Sequence, residues 1–340
     1  MDEDVFRVYG LCKYGKSGKW TRVPDELLEK EKYADDMKEL IHHTSGGRVR
    51  FKTDSPYICV RAQLYENSLS PHFSPSGKDG CDIYAKPAGA PGIPDYMRSV
   101  IPEKSGDSSY ELSYEFPEQA EGFWDVTVNL PLYSGVEALF IGIKEGSSIL
   151  PADPYRTEKP VLFYGSSITQ GACSQRPGNS HVLILSRMLD CDVRNMGFSG
   201  SAYGESSMAE FISGLEMSAF VMEYDYNARS EDELLRTHYR FYETVREKNP
   251  ELPVIMVSAP VAAPARVKFP QKRMAESRVI IMESYLKGYR SGDSNLYFVD
   301  GEGMIGSKES LVDGVHPDVS GFRNMAQKLY PVLRDVLYHY

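Results

Sequence analysis

The sequence predicts an α/β protein in two parts, an all-β sandwich followed by a parallel sheet covered by helices on both faces. Three observations carry this. At roughly 100–200 residues per domain, a chain of 340 residues is long enough for two domains or one large one. The first half alternates polar and apolar residues between Gly, Pro and Ser breaks, the mark of short antiparallel strands. After Pro151 the pattern becomes short apolar strands alternating with long amphipathic segments, the mark of βαβ units.

In the first half, RVRFKTDSPYICVRAQLY (48–65) is rich in β-branched and aromatic residues and reads as strand. Similar runs recur at Cys81–Ala85, Tyr110–Phe116, Trp124–Leu130 and Ala138–Ile143, suggesting a sandwich of jelly-roll type. Pro24 to Lys38 is the one helix expected there. In the second half the strands are VLFYG (161–165), DVRNMG (192–197), AFVMEY (219–224), PVIMVS (253–258) and LYFVDG (296–301). Helices are expected at 179–190, 205–215, 231–248, 271–290 and 320–338. The Pro-rich, polar PADPYRTEKP marks the boundary, giving a sandwich over 1–155 and a parallel-sheet domain over 156–340.

Lys and Arg number 38 against 48 Asp and Glu, a net charge of −10, and no local basic stripe offsets it. Such a surface repels phosphate backbones and anionic lipid, so neither nucleic acid nor membrane is an expected partner. No apolar run approaches the ~20 residues of a membrane span. The acidic start MDEDVFRVYG lacks a signal peptide's basic and apolar regions, which predicts a cytoplasmic protein if Met1 is the native start. The five cysteines, 12, 59, 81, 173 and 191, are widely spaced without a C-x-x-C pair, so reduced thiols and no metal site are expected.

Gly10 to Ser17 matches the phosphate-loop pattern G-x-x-x-x-G-K-[ST], and Asp300 ends a strand that could serve as its acidic partner. A working phosphate loop opens directly into a helix. Here GKWTRVP follows instead, which favours a Gly-rich hairpin; nucleotide hydrolysis through Lys16 stays open as an alternative.

Ligands of open α/β sheets bind at the carboxyl ends of the strands. There the sequence places Gly165-Ser-Ser167-Ile-Thr-Gln-Gly171, Asn195-Met-Gly-Phe-Ser-Gly200, Asp225-Tyr-Asn227-Ala228 and Asp313-Gly-Val-His316. These supply a turn hydroxyl, backbone N–H groups, a side-chain amide and an acid–imidazole pair, the inventory of acyl transfer. The four blocks, in this order and spacing across 160–340, resemble those of the SGNH/GDSL hydrolase superfamily. The whole chain, with its GSSITQG, RPGN and DYNA variants, is similar to bacterial two-domain SGNH esterases with an N-terminal β-sandwich.

The resemblance implies a flavodoxin-like three-layer domain with a five-stranded parallel sheet and no cofactor. It assigns Ser167 as nucleophile and oxyanion N–H donor, Gly200 as second donor, Asn227 as side-chain donor, His316 as base and Asp313 as its partner. Two positions depart from the family pattern: Ser166 stands where GDS-type members have Asp, and D-Y-N-A replaces G-x-N-D. Neither touches a catalytic atom, but the substrate subgroup is less defined. Similar proteins include carbohydrate O-acetyl esterases, so the expected substrate is a small-molecule or oligosaccharide ester with a short acyl group. Other acylhydrolase types, or a glycan-binding protein with weak esterase activity, are the alternatives. No G-x-S-x-G elbow occurs in the chain, which disfavours the common α/β-hydrolase arrangement.

Arg176 and His181 follow the nucleophile closely enough to line a substrate pocket, although a loop Arg and a first-turn helical His also have plain structural readings. Glu223 and Asp225 could suggest a carboxylate pair for glycosidic chemistry; their adjacency to Asn227 favours a structural role. His42, His43, His238 and His339 read as solvated or packed, and His72 sits in a Pro/Ser-rich loop that the sequence does not place. The 23 tyrosines could offer sugar-stacking faces or simply fill a sandwich core.

Overall fold

A computed structural model of the chain describes residues 5–13, 19–65, 72–104, 106–117, 122–157, 159–262 and 271–338. The N-terminal part is a sandwich of two antiparallel sheets. The larger runs in the order Arg7–Tyr9, Arg48–Thr53, Trp124–Asn129, Cys81–Pro87 and Asp95–Val100, and Ile149–Pro151 continues the Arg7–Tyr9 edge along Arg48–Thr53. The smaller has Tyr57–Tyr65 between Gly135–Ile143 and Ser109–Glu115. The 48–65 stretch is two strands, broken at Asp54-Ser-Pro56. The period-2 pattern works because alternate residues, Val49 and Phe51 or Ile58, Val60 and Ala62, all point into one core.

The second part is a five-stranded parallel sheet of Val161–Gly165, Val193–Gly197, Ala219–Glu223, Val254–Val257 and Leu296–Val299. In space the second strand is outermost, followed by the first, third, fourth and fifth, which is the flavodoxin-like order. Apart from Arg194, Asn195 and Glu223, the side chains of these strands are apolar on both faces, and the two faces separate cleanly. Val161, Phe163, Val221 and Ile255 pack under helices His181–Leu189 and Val319–Tyr338. Leu162, Tyr164, Met222 and Met256 pack under helices Ser206–Ser213, Glu231–Lys248 and Gln271–Arg290.

The expected helix over Pro24–Lys38 is instead a 3₁₀ turn at Asp25–Glu29 and a single α turn at Met37–Leu40. Its apolar residues explain the break. Leu27, Tyr33, Met37, Leu40 and Ile41 all enter the core beneath the parallel sheet, and the gap from 27 to 33 is not a helical repeat. A segment of the N-terminal half thus helps close one face of the second. Cys12–Lys13 pairs antiparallel with Trp20–Thr21, whereas Tyr14 to Ser17 of the phosphate-loop match lies outside the described residues. Asp300, its proposed acidic partner, is ion-paired with Arg278.

Candidate active site

The first strand ends at Gly165 because nothing larger fits: a Cβ there would lie 2.0 Å from Thr169 Oγ1 and 2.9 Å from the Glu223 carbonyl oxygen. The chain then turns into the short helix Ser167–Gln170, capped by Ser166, whose hydroxyl accepts the Ile168 N–H at 3.2 Å. Serine thus does at position 166 what an N-cap residue is for, and Ser167 becomes the first helical residue, its hydroxyl partly exposed.

Ser167 Oγ lies 2.8 Å from His316 Nε2, and His316 Nδ1 lies 2.6 Å from Asp313 Oδ2. An ionised carboxylate can only accept, so Nδ1 carries the imidazole proton and Nε2 is left to receive one from Ser167. Asp313 is fixed by its own turn. Gly314 takes φ +89°, and Asp313 Oδ1 accepts the N–H groups of Val315 and His316 at 3.0 and 2.8 Å. Partial burial alone would raise the Asp313 pKa, but the His316 N–H and imidazole and the Val315 N–H outweigh it and bring it down to about 2. The final helix is capped by a different acid, Asp318, which accepts from the Ser320 and Gly321 N–H groups.

The second strand end also requires glycine, since a Cβ on Gly197 would lie 2.2 Å from Gln170 N. The loop beyond it is tied to the Ser167 turn by Phe198 N–H to Gly165 O at 2.9 Å and Ser199 N–H to Gln170 Oε1 at 3.0 Å. Gly200 is exposed at φ +64°, with open space where a Cβ would stand. Among the described residues, neither its N–H nor that of Ser167 has an acceptor. Asn227 Nδ2 spends one hydrogen on Phe198 O at 2.8 Å, leaving the other for a ligand. Two backbone donors and an amide beside an activated hydroxyl can stabilise a tetrahedral oxyanion.

The N-terminal half supplies supports that motif reading did not reveal. Gln170 is fully buried, and its amide nitrogen lies 3.1 Å from both His43 Nδ1 and Leu132 O. Ser45 Oγ donates to Gln170 O at 2.6 Å, and Tyr133 OH approaches Ser167 O at 3.4 Å. Arg22, fully buried against the Phe198 ring at 4.5 Å, donates to the carbonyls of Leu40 and Gly197. Burial pushes its guanidinium down to about 9. His72 stands beside the His316 imidazole, with ring centroids 6.5 Å apart.

Of the pocket candidates, His181 lies elsewhere. It is completely buried between Phe163 and Phe322, with Nε2 3.0 Å from Glu223 Oε1. Its position at the first turn of a helix on the strand face, rather than beyond the strand ends, puts it in the core. Arg176 turns toward the sandwich, 3.5 Å from Asp82 and 3.7 Å from the Tyr96 ring centroid. Asp225 is also structural. Buried, it accepts the Ala259 N–H at 2.8 Å, and burial pushes its carboxyl up to about 7, the Glu223 charge adding to the effect. His238 is buried mid-helix, where desolvation pulls its imidazole down to about 3.

His72, Cys173 and Asp313 bring potential metal-ligand atoms within 4.8 Å of one another. Cys173 takes φ +63°, and its Sγ lies 3.9 Å from Asp313 Oδ2, the same oxygen that receives His316 Nδ1. A cation there would compete with the imidazole for that oxygen.

Comparison with known proteins places these features in a family. Residues 2–149 match the model of the N-terminus of Esterase_SGNH_hydro-type proteins. No curated protein matches the chain in sequence. Among solved structures, one described as a GDSL-like lipase from Bacteroides ovatus is similar over 97% of this chain and 95% of its own, at 26% identity and a TM-score of 0.84. The salicylyl-acyltransferase SsfX3 from a tetracycline biosynthetic pathway covers 95% and 92% at 18% identity and a TM-score of 0.75. A family two carbohydrate esterase from Clostridium thermocellum covers 86% and 93% at 16% identity and 0.60. At these lower identities the last two show the fold alone. With residues 158–334 matching its family model, the chain belongs to the GDSL-like lipase/acylhydrolase family.

Proposed function

We propose that the protein is a serine esterase that removes short acyl groups, acetyl foremost, from carbohydrates. The observation that carries the chemistry is the hydrogen-bonded series Ser167 Oγ, His316 and Asp313, at 2.8 and 2.6 Å. Ser167 Oγ attacks the ester carbonyl carbon while His316 Nε2 takes its proton. Asp313, held ionised, stabilises the imidazolium. The carbonyl oxygen gathers negative charge and is met by the N–H groups of Ser167 and Gly200 and the free amide hydrogen of Asn227. The imidazolium then protonates the departing alcohol. Water enters, loses its proton to His316, and releases the acid by the reverse sequence.

Support for a carbohydrate alcohol comes from the shared two-part architecture. The Clostridium thermocellum esterase and an acetyl xylan esterase from Butyrivibrio proteoclasticus, the latter similar over the whole chain at 12% identity, combine the same layers. The test begins with a fluorophosphonate probe, which should label the wild-type protein and not Ser167→Ala; persistent labelling of the variant removes Ser167 as nucleophile. A series of p-nitrophenyl esters from acetate to octanoate should favour acetate, and acetylated oligosaccharides should then be deacetylated. A preference for octanoate, or inertness toward every acetylated sugar, overturns the substrate reading while leaving the nucleophile in place.

A further inference from the structure

A cavity of about 730 Å³ lies at the other end of the parallel sheet from Ser167. One wall is sandwich: strands Arg48–Thr53, Cys81–Pro87 and Trp124–Asn129 with the 91–94 loop. The other is the C-terminal ends of helices His181–Leu189 and Val319–Tyr338, with Tyr155 and Arg156 leading into the first strand. Its size suits a small organic ligand.

Its chemistry is opposite to that of the chain as a whole. Six cationic side chains line it (Arg48, Arg50, Lys86, Arg156, Arg187 and Arg334) against two acidic ones, Asp125 and Asp190, in a protein of net charge −10. Neighbours absorb part of this charge: Arg48 is paired with Asp192 and Arg334 with Asp335. Arg50 is only 6% exposed. It stacks 4.3 Å from the Tyr155 ring centroid and reaches Asp125 Oδ2 with Nη2 at 3.4 Å, while its buried Nη1 has no acceptor among the described residues. Arg187 repeats the pattern, with Nη2 donating to Gly178 O at 2.5 Å and a buried Nη1 that has no partner among the described residues. Asp125 Oδ1, buried in the same cavity, has no donor among the described residues.

A buried N–H without an acceptor is costly, and a guanidinium edge matches the paired oxygens of a carboxylate or phosphate. Asp125 Oδ1 calls for the reverse, a hydroxyl that donates. The aromatic rings of Tyr155, Tyr330 and Tyr338 add flat apolar surface in the cavity. We propose that this cleft between the two domains is a binding site for a hydroxylated small anion of sugar size, a sugar phosphate or a sugar acid. The anionic oxygens meet Arg50 and Arg187, and a hydroxyl donates to Asp125. The site is independent of the esterase reading, because no triad residue lines it.

Calorimetric titration of the full chain with glucose 6-phosphate, glucuronate, inorganic phosphate and glucose tests the proposal. At least one anionic sugar should bind saturably at one per chain, raise the melting temperature, and lose at least tenfold in affinity in both Arg50→Gln and Lys86→Glu. The second variant sits at a half-exposed position and guards against a folding defect in the first; unchanged p-nitrophenyl acetate hydrolysis checks both. Which of the two sugars binds decides between phosphate and carboxylate. The proposal is overturned if neither anionic sugar binds at millimolar concentration, if glucose or inorganic phosphate binds as tightly, or if the variants keep wild-type affinity.

Discussion

The strand-end blocks and the N-terminal half contribute to one site in different ways. The blocks at 165–171, 195–200, 225–228 and 313–316 carry the hydroxyl, the N–H groups, the amide and the imidazole, each within a few residues of its own turn. The N-terminal half carries what holds them. His43 and Leu132 receive Gln170, Tyr133 backs Ser167, and Arg22 clamps the carbonyl of Gly197. The proposed reacting atoms are therefore local in sequence, while their supports come from 34 to 175 residues away. Variants of the two groups should separate accordingly: loss of a reacting group should remove catalysis at unchanged stability, and loss of a support should disturb both.

The largest effect is expected at Asp313. In Asp313→Asn the side-chain amide can donate to the imidazole, which favours the tautomer whose Nε2 carries the proton and cannot accept one from Ser167. A fall of about 10⁴ in kcat follows from such a reversal, with the melting temperature little changed because the site is at the surface. Steady-state kinetics alongside a thermal melt measure both, and a variant within tenfold of wild type would take Asp313 out of the series. Next comes Asn227→Ala, which removes one proposed oxyanion donor and should cost about 2.7–4 kcal/mol of transition-state stabilisation, read as kcat with KM nearly constant. It also strips a donor from Phe198 O, but Ser201 N–H still reaches that oxygen at 3.0 Å, so the loop should hold.

What the sequence disclosed follows the same division. Strand VLFYG and helices 231–248 and 271–290 match the observed elements because an apolar run or a 3.6-residue period needs no distant partner to be recognised. The blocks proposed to carry the triad were legible because acyl-transfer chemistry calls for Ser, His and Asp in short turns near strand ends. Arg22 was not. A lone arginine after a Gly-rich stretch reads as surface, and only the fold shows carbonyls of the second strand waiting for it. The break in the expected 24–38 helix has the same origin, since its apolar residues answer to the core under the distant parallel sheet. His181 went the other way: proximity to the nucleophile in sequence suggested a pocket, but a first-turn residue facing the sheet points inward.

Gln170→Leu tests the supports directly. It keeps the bulk but removes the acceptor for Ser199 N–H and the donor to Leu132 O, freeing the loop that presents Gly200. One net hydrogen bond is worth about 1 kcal/mol, so kcat should fall roughly five- to tenfold, with a lower melting temperature than Asn227→Ala shows. A melting temperature equal to wild type would mean that the sandwich does not brace this loop.

The smallest effect on catalysis, and the sharpest contrast, lies two residues before Asn227. Asp225 touches no reacting group; it is a buried acid whose carboxyl sits at about 7 instead of its ordinary 3.8. Between those values the folded state keeps a proton that the unfolded state has released, so folding takes up a proton and stability falls as pH rises from about 4 to 7. The contribution to the slope is at most about 1.4 kcal/mol per pH unit. Asp225→Asn imitates the protonated form, and its side-chain oxygen can still accept the Ala259 N–H. The variant should therefore gain on wild type in urea melts as pH rises through this window, and the gain should level off above 7. Glu205, also raised to about 7 by burial, leaves a residual slope in both proteins. Hydrolysis at pH 7 should be unchanged to within twofold, because the substitution alters what the block rests on and leaves the Asn227 amide in place. A parallel loss in kcat would show that this carboxyl acts through Asn227 after all and would erase the division between reacting group and support inside the single block 225–228.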